Sequence, residues 1–104
     1  MINTLKKIFG IGEQPDFAKL IKNGAILIDV RSKQEFNFGH IHGAINIPVE
    51  QLGNKLNKIK NKNKAIITYC ASGMRSASAK RFLRSIGFAE VYNGGCISSL
   101  QNKL

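Results

Sequence analysis

Short apolar runs alternate along the chain with segments whose apolar residues recur every three or four positions. The apolar runs are typical of buried strands and occupy residues 25–30, 44–47, 65–69 and 88–92. The helical segments cover residues 15–24, 32–39, 49–59, 76–86 and 96–104. This alternation predicts an α/β fold in which a central parallel sheet carries helices on both faces. In such a sheet, functional residues are expected at the carboxyl ends of the strands.

Local signals indicate where several of these elements begin and end. Pro15 occupies a first-turn position in the first helix, and Gly24 follows the end of that helix. Ser32 and Glu35 have the spacing of a capping box. Residues 93–95, with the sequence Asn-Gly-Gly, have the composition of a turn after the last strand. The sequence therefore predicts short elements joined by tight connections.

The 104 residues are enough for one domain with a single modest core. We place this domain at residues 13–104, after an N-terminal extension at residues 1–12. Apolar residues of the extension share one helical face beside Lys6 and Lys7, which predicts a short helix packed on the core or frayed. A segment lying on a membrane surface is the less favoured alternative. No apolar run has the length of a signal peptide or a transmembrane helix, so we expect a cytoplasmic protein without a membrane partner.

Charge and cysteine content narrow the candidate functions further. Sixteen Lys and Arg residues against six Asp and Glu residues give a formal net charge of +10. The densest basic run, residues 55–64, alternates Lys with Asn and has no aromatic residues for base stacking. We therefore expect no nucleic-acid partner, although a positive surface attracts small anions and acidic proteins. Two cysteines cannot form a disulfide scaffold, which favours reduced thiols with a chemical role.

Cys70 follows the clearest strand and precedes a helix, where this fold class places functional residues. Backbone N–H groups of the following loop are able to converge on its sulfur, and Gly73 permits the tight curvature. Arg75 adds a permanent positive charge. These features favour the thiolate, so we predict a nucleophilic Cys70 with a lowered pKa in a site for anionic substrates. The alternative is a cysteine that fills the core at a strand end.

Two blocks of the sequence together resemble the rhodanese family of single-domain sulfurtransferases. Residues 29–48 are similar to the family signature Asp-x-Arg-x-x-x-Glu-Phe-x-x-Gly-His-Ile-x-Gly-Ala-x-Asn-Ile-Pro, and residues 70–75 to its six-residue cysteine loop. The resemblance implies transfer of a sulfane sulfur through a persulfide on Cys70. The donor would be a small anion such as thiosulfate, and the acceptor cyanide, a thiol or a protein. The related phosphatase and arsenate-reductase loop has one more residue, so phosphatase activity is disfavoured. No metal or other cofactor is implied.

The resemblance also implies roles for individual residues, with Cys70 as the catalytic residue. The loop residues expected to contact substrate are Ala71, Ser72, Gly73, Met74 and Arg75. The residues expected to give structural support are Asp29, Arg31, Glu35 and His40. Glu35 is expected either to pair with Arg31 or to cap a helix through Ser32. The two histidines of the first block lack the ligand spacing of a metal site.

The chain departs from the family pattern after its Gly-Gly pair, where relatives commonly carry an aromatic residue and this sequence has Cys96 and no Trp. If Cys96 follows a parallel strand next to that of Cys70, it is placed to act as a resolving thiol. A small residue filling a turn is the alternative.

Three functions stand at this point. They are a thiosulfate sulfurtransferase, a persulfide carrier or redox relay serving a partner protein, and a binding module without catalysis. The presence of Cys70, Gly73 and Arg75 argues against the binding module, because a pure binding domain has no use for an anion-binding loop around a thiol.

Overall fold

The computed structural model describes residues 15–56 and 59–104; the N-terminal extension predicted at residues 1–12, with its short helix, lies outside them. The strands are β1 (Ile26–Asp29), β2 (Ile45–Asn46), β3 (Ile66–Cys70) and β4 (Val91–Cys96). The helices are α1 (Phe17–Lys22), α2 (Lys33–Phe38), α3 (Leu52–Lys55), α4 (Met74–Ser85) and α5 (Ile97–Gln101), and a 3₁₀ turn at Val49–Gln51 leads into α3. None of these helices is long and apolar enough to cross a membrane.

The four strands form one parallel sheet in the order β2-β1-β3-β4. All five residues of β3 are buried, as expected for a central strand of a parallel sheet. Helices cover both faces of the sheet. The core on one face contains Leu52 of α3 and Leu83 of α4, and the core on the other contains Phe17 of α1 and Leu100 of α5. The predicted α/β fold, with a parallel sheet between helices, is confirmed.

Several element boundaries differ from the prediction. The strand predicted at 88–92 lies at Val91–Cys96, and the helix predicted at 49–59 is a 3₁₀ turn at Val49–Gln51 followed by a helix at Leu52–Lys55. Helix α1 begins after Asp16, whose carboxylate accepts a hydrogen bond from the Lys19 N–H at 3.1 Å. Pro15 therefore precedes the helix instead of occupying its first turn. Helix α4 begins at Met74, two residues earlier than predicted. Strand β4 includes the Asn-Gly-Gly segment predicted as a turn, because pairing with β3 outweighs the local preference.

The predicted capping box at the start of α2 is confirmed. The Ser32 hydroxyl accepts a hydrogen bond from the Glu35 N–H at 3.2 Å, and the Glu35 carboxylate accepts one from the Ser32 N–H at 3.1 Å. Both contacts satisfy N–H groups that would otherwise lack partners at the start of the helix. The box also fixes the position of the Glu35 side chain.

The pairing of β3 with β4 contains a β-bulge near the carboxyl edge of the sheet. Thr68 pairs with Asn93. Two residues further along β3, Cys70 pairs with Cys96, which is three residues beyond Asn93. Tyr69 therefore lies opposite two residues of β4. The bulge places the two cysteines of the chain directly across from each other.

Candidate active site

Cys70 is the last residue of β3, the central strand that runs between β1 and β4. Its side chain is fully buried. The chain then forms a short loop and enters α4 at Met74, so the amino end of a twelve-residue helix lies beside the thiol. The helix dipole at this end favours negative charge on the sulfur.

Loop and helix close on the Cys70 sulfur through three hydrogen bonds. The Gly73 N–H donates to Sγ at 2.9 Å and the Ser76 N–H donates at 3.4 Å. The thiol in turn donates to the Ser76 hydroxyl at 3.5 Å. Burial raises the pKa of Cys70, but hydrogen bonding with the Ser76 side chain and with backbone N–H groups outweighs burial and leaves the pKa below its ordinary value.

The loop depends on the backbone freedom of glycine at position 73. Gly73 has a φ of +95°, which is unfavourable for residues with a side chain. The loop also packs against the backbone of β4, since a Cβ at position 73 would make an ordinary van der Waals contact with Gly95 Cα at 3.5 Å. Glycine therefore allows the N–H of residue 73 to point at the sulfur.

Asn93 ties the cysteine loop to β4, and its role was not predicted from the sequence. Its side-chain oxygen accepts hydrogen bonds from the Ser76 hydroxyl at 2.6 Å and the Gly95 N–H at 2.9 Å. Its side-chain nitrogen donates to the Gly73 carbonyl at 3.3 Å. Ser76 was likewise missed as a site residue, although its place directly after Arg75 in the first turn of α4 was a usable signal. Ser76 contacts the Cys70 sulfur directly, and Asn93 positions Ser76 and Gly73.

Glu35 pairs with Arg75, not with Arg31. The Arg75 guanidinium donates from Nη1 to Glu35 Oε1 at 2.7 Å and from Nη2 to Oε2 at 3.0 Å. The Arg75 hydrogen bond, with a smaller effect of the Ser32 N–H, lowers the pKa of Glu35 to about 2. Glu35 thus both caps α2 and orients the cation of the cysteine loop.

Asp29 and Arg31 form a separate buried pair at the end of β1. Arg31 Nη2 donates to Asp29 Oδ2 at 2.7 Å and to the Gly39 carbonyl at 2.7 Å. Its guanidinium carbon also lies 5.8 Å from the centre of the Tyr69 ring. The pair therefore links the start of the loop after β1 to the residue that follows α2.

The remaining predicted site residues are exposed and differ in their contacts. Ala71 and Ser72 lie on the surface of the loop, and Met74 is 77% exposed. The His40 ring stacks on Phe36 with centroids 3.7 Å apart, and its Nδ1 lies 2.9 Å from the Phe36 carbonyl oxygen. Within residues 15–56 and 59–104, no group of three or more His, Cys, Asp or Glu side chains is arranged to hold a metal ion.

Cys96 ends β4 and is partly exposed. Its Sγ lies 3.7 Å from the Ser98 hydroxyl. The Ser99 N–H, followed by the Ser98 hydroxyl, lowers the pKa of the Cys96 thiol below its ordinary value. The strand that ends in Cys96 lies next to the strand that ends in Cys70, as a resolving thiol at Cys96 requires.

The parallel sheet and the loop closed around a thiol at its edge define an α/β protein with a thiol site. Residues 13–96 match the rhodanese-like domain family, and the chain belongs to that family. Among curated relatives, the uncharacterized protein YqhL of Bacillus subtilis (strain 168) is 46% identical over 69 residues, which are 66% of this chain and 54% of YqhL. Thiosulfate sulfurtransferase PspE of Escherichia coli (strain K12) is 32% identical over 74 residues, 70% of this chain and 71% of PspE.

Solved structures agree with this assignment. A rhodanese from E. coli, solved with anions, has a TM-score of 0.70 and 31% sequence identity, over 73% of this chain and 91% of that one. The family resemblance deduced from the two sequence blocks is confirmed.

Other curated relatives contain this domain within a longer protein. The tRNA uridine(34) hydroxylase of Buchnera aphidicola is 35% identical over 95 residues, which are 84% of this chain and 30% of that protein. The chain thus spans about half the length of YqhL and about a third of the hydroxylase. What these relatives share with the chain is the rhodanese-like domain.

Proposed function

We propose that the protein is a thiosulfate sulfurtransferase that carries a sulfane sulfur as a persulfide on Cys70. The observation that supports this most directly is the convergence of the Gly73 and Ser76 N–H groups on Sγ, at 2.9 and 3.4 Å. Fixed amide donors stabilise a thiolate, and they also stabilise the negative charge of a persulfide built on it. A cysteine that only fills the core needs none of these donors.

The proposed reaction has two steps. The Cys70 thiolate attacks the outer sulfur of thiosulfate, the S–S bond of the donor breaks, and sulfite leaves with the electron pair. Cyanide or a thiolate then attacks the outer sulfur of the persulfide, and the Cys70 thiolate is regenerated. Arg75, held by Glu35 at the end of the loop, supplies positive charge for the donor and the departing sulfite.

A persulfide carrier that serves a protein acceptor is the second candidate. The two most exposed large apolar side chains in the motif blocks are Phe38, at 88%, and Met74, at 77%. Exposed Met and aromatic residues are enriched where proteins bind one another. A Michaelis constant for thiosulfate far above cellular concentrations would favour the carrier over the thiosulfate enzyme.

The test is intact mass spectrometry after incubation with thiosulfate, followed by addition of cyanide. We expect the wild type to gain the mass of one sulfur atom and to lose it to cyanide. Cys70→Ser should gain nothing. If the wild type gains no sulfur from thiosulfate or from a persulfide donor, catalysis is excluded and the binding-module alternative takes its place.

A further inference from the structure

Cys70 and Cys96 are partners in the register of β3 and β4 at the carboxyl edge of the sheet. Neighbouring strands lie about 4.8 Å apart. This spacing falls within the range of about 4.4–6.8 Å between Cα atoms that a sulfur–sulfur bond is able to bridge. The Cα positions of the two cysteines are therefore compatible with transfer of a sulfur atom between their side chains.

The β-bulge creates this arrangement. Asn93 faces α4, since its side chain bonds the Gly73 carbonyl and the Ser76 hydroxyl. Side chains alternate between the two faces of a strand, so a residue three positions after Asn93 would face the opposite side. The additional residue in β4 restores the alternation and brings Cys96 back to the position facing Cys70.

The two cysteines differ in their access to large molecules. Cys70 is fully buried and its sulfur is enclosed by the loop, whereas Cys96 is partly exposed. Small anions are suited to the buried Cys70 thiol, and bulky acceptors are suited to the partly exposed Cys96 thiol. The Cys96 sulfur lies 3.7 Å from the Ser98 hydroxyl, and rotation about χ1 among staggered conformers turns the sulfur without moving the strand.

We infer that Cys96 takes the sulfane sulfur from Cys70 within the same molecule and presents it to bulky acceptors at the surface. This inference rests on the proposed function, because Cys70 must first form a persulfide. The Cys96 thiol gives its proton to the negatively charged outer sulfur of the persulfide, and the Cys96 thiolate then attacks that sulfur. A bond forms between Cys96 Sγ and that sulfur, and the bond from that sulfur to Cys70 Sγ breaks.

The electron pair of the broken bond stays on Cys70 as a thiolate, and the proton stays on the transferred sulfur. Neither an oxidant nor a reductant is required. The amide donors around Cys70 stabilise it as a leaving group, because thiols with a lower pKa leave faster in exchange at sulfur.

The experiment follows the position of the sulfur over time. Protein is loaded with thiosulfate, freed of excess donor, alkylated with iodoacetamide at intervals and digested without reductant. Trypsin cleaves after Arg75 and Arg84, so the two cysteines fall on different peptides. We expect the mass of one sulfur atom to appear first on the Cys70 peptide and then on the Cys96 peptide, at a rate independent of protein concentration.

Three variants complete the experiment. In Cys96→Ser, all sulfur should remain on Cys70, and Ser98→Ala should still transfer sulfur to Cys96. In Cys70→Ser, neither peptide should gain sulfur, since the relay loads Cys96 only through Cys70.

Two results would overturn the relay while leaving the proposed function intact. One is sulfur that never leaves Cys70 in the wild type. The other is a Cys70–Cys96 disulfide formed with release of sulfide, which would make Cys96 a resolving thiol. Absence of sulfur from both peptides would instead overturn the proposed function, and the relay with it.

Discussion

Arg75 donates two hydrogen bonds to Glu35, at 2.7 and 3.0 Å, although the two residues are forty positions apart in the sequence. This ion pair joins the end of the cysteine loop to the helix formed by the first motif block. Each motif block therefore supplies one partner of this ion pair, the first block the carboxylate and the cysteine loop the guanidinium. The cation beside Cys70 is held by a carboxylate that is itself fixed in a helix cap.

Replacing Glu35 with Gln should impair thiosulfate turnover. The neutral amide cannot match the charge or accept both guanidinium hydrogen bonds, so Arg75 loses its fixed orientation. We expect kcat/KM for thiosulfate to fall by up to about 100-fold, the cost of misplacing a positioning group by about 1 Å. Steady-state kinetics would measure this, with the exposed Glu50→Gln as the matched control. Equal kcat/KM in wild type and Glu35→Gln would show that Arg75 needs no carboxylate partner.

The same pair makes stability depend on pH in acid. The folded-state pKa of Glu35, lowered to about 2 from an ordinary 4.5, means that the folded protein favours the ionised carboxylate. The stabilisation is fully present above the ordinary pKa and is lost as pH falls through the folded value. Denaturant unfolding of wild type and Glu35→Gln should therefore give free energies that differ most near neutral pH and converge towards about pH 2. A difference that stays constant over this range would contradict the assignment.

Cys70 should react as a thiolate at a lower pH than an ordinary thiol. The Ser76 hydroxyl and N–H are the main groups that lower its pKa against the effect of burial. Ser76→Ala removes the hydroxyl, so the pH midpoint for alkylation of Cys70 should rise and the rate at neutral pH should fall. Iodoacetamide labelling across pH, measured on the Cys70 peptide, tests this with the exposed Ser78→Ala as control. An unchanged midpoint in Ser76→Ala would exclude the hydroxyl from activation of the thiol.

Gly94 should tolerate no side chain. A Cβ at this position would lie 2.8 Å from Leu100 Cδ2 and 3.0 Å from the Thr68 carbonyl oxygen. Gly94→Ala should lower the free energy of unfolding by about 1–3 kcal/mol, the usual cost of overpacking. Gly39→Ala is the control, because a Cβ there meets no atom within 4 Å. Similar denaturation midpoints for the two variants would mean that β4 adjusts without cost.

The sequence was sufficient to predict what depends on local pattern. The apolar runs predicted four strands, although the last was placed at 88–92 and lies at Val91–Cys96. Ser32 and Glu35 predicted the capping box, and the position of Cys70 at a strand end predicted the candidate site. The partner of Glu35 was not predictable in this way. Arg31 is closer in sequence, but it is engaged by Asp29, and only the packing of α2 beside the loop brings Arg75 within reach.

The end of β4 shows the same limit. Asn-Gly-Gly is a strong local turn signal, yet the segment belongs to a strand because β3 supplies its hydrogen-bonding partners. The role of Asn93 follows from that pairing, since the strand places its side chain against Gly73 and Ser76. The position of the β-bulge depends on the partner strand, so the pattern of apolar and polar residues in the sequence does not reveal it.

The contacts of Arg31 have a consequence for how the molecule opens. Helix α2 has only six residues and would not persist alone in water. Arg31, which precedes helix α2, donates a hydrogen bond to the carbonyl of Gly39, which follows the helix. Glu35, within the helix, connects α2 to the cysteine loop. Helix α2 and the loop should therefore open and close as one cooperative unit, and their amide protons should exchange with solvent at a common rate.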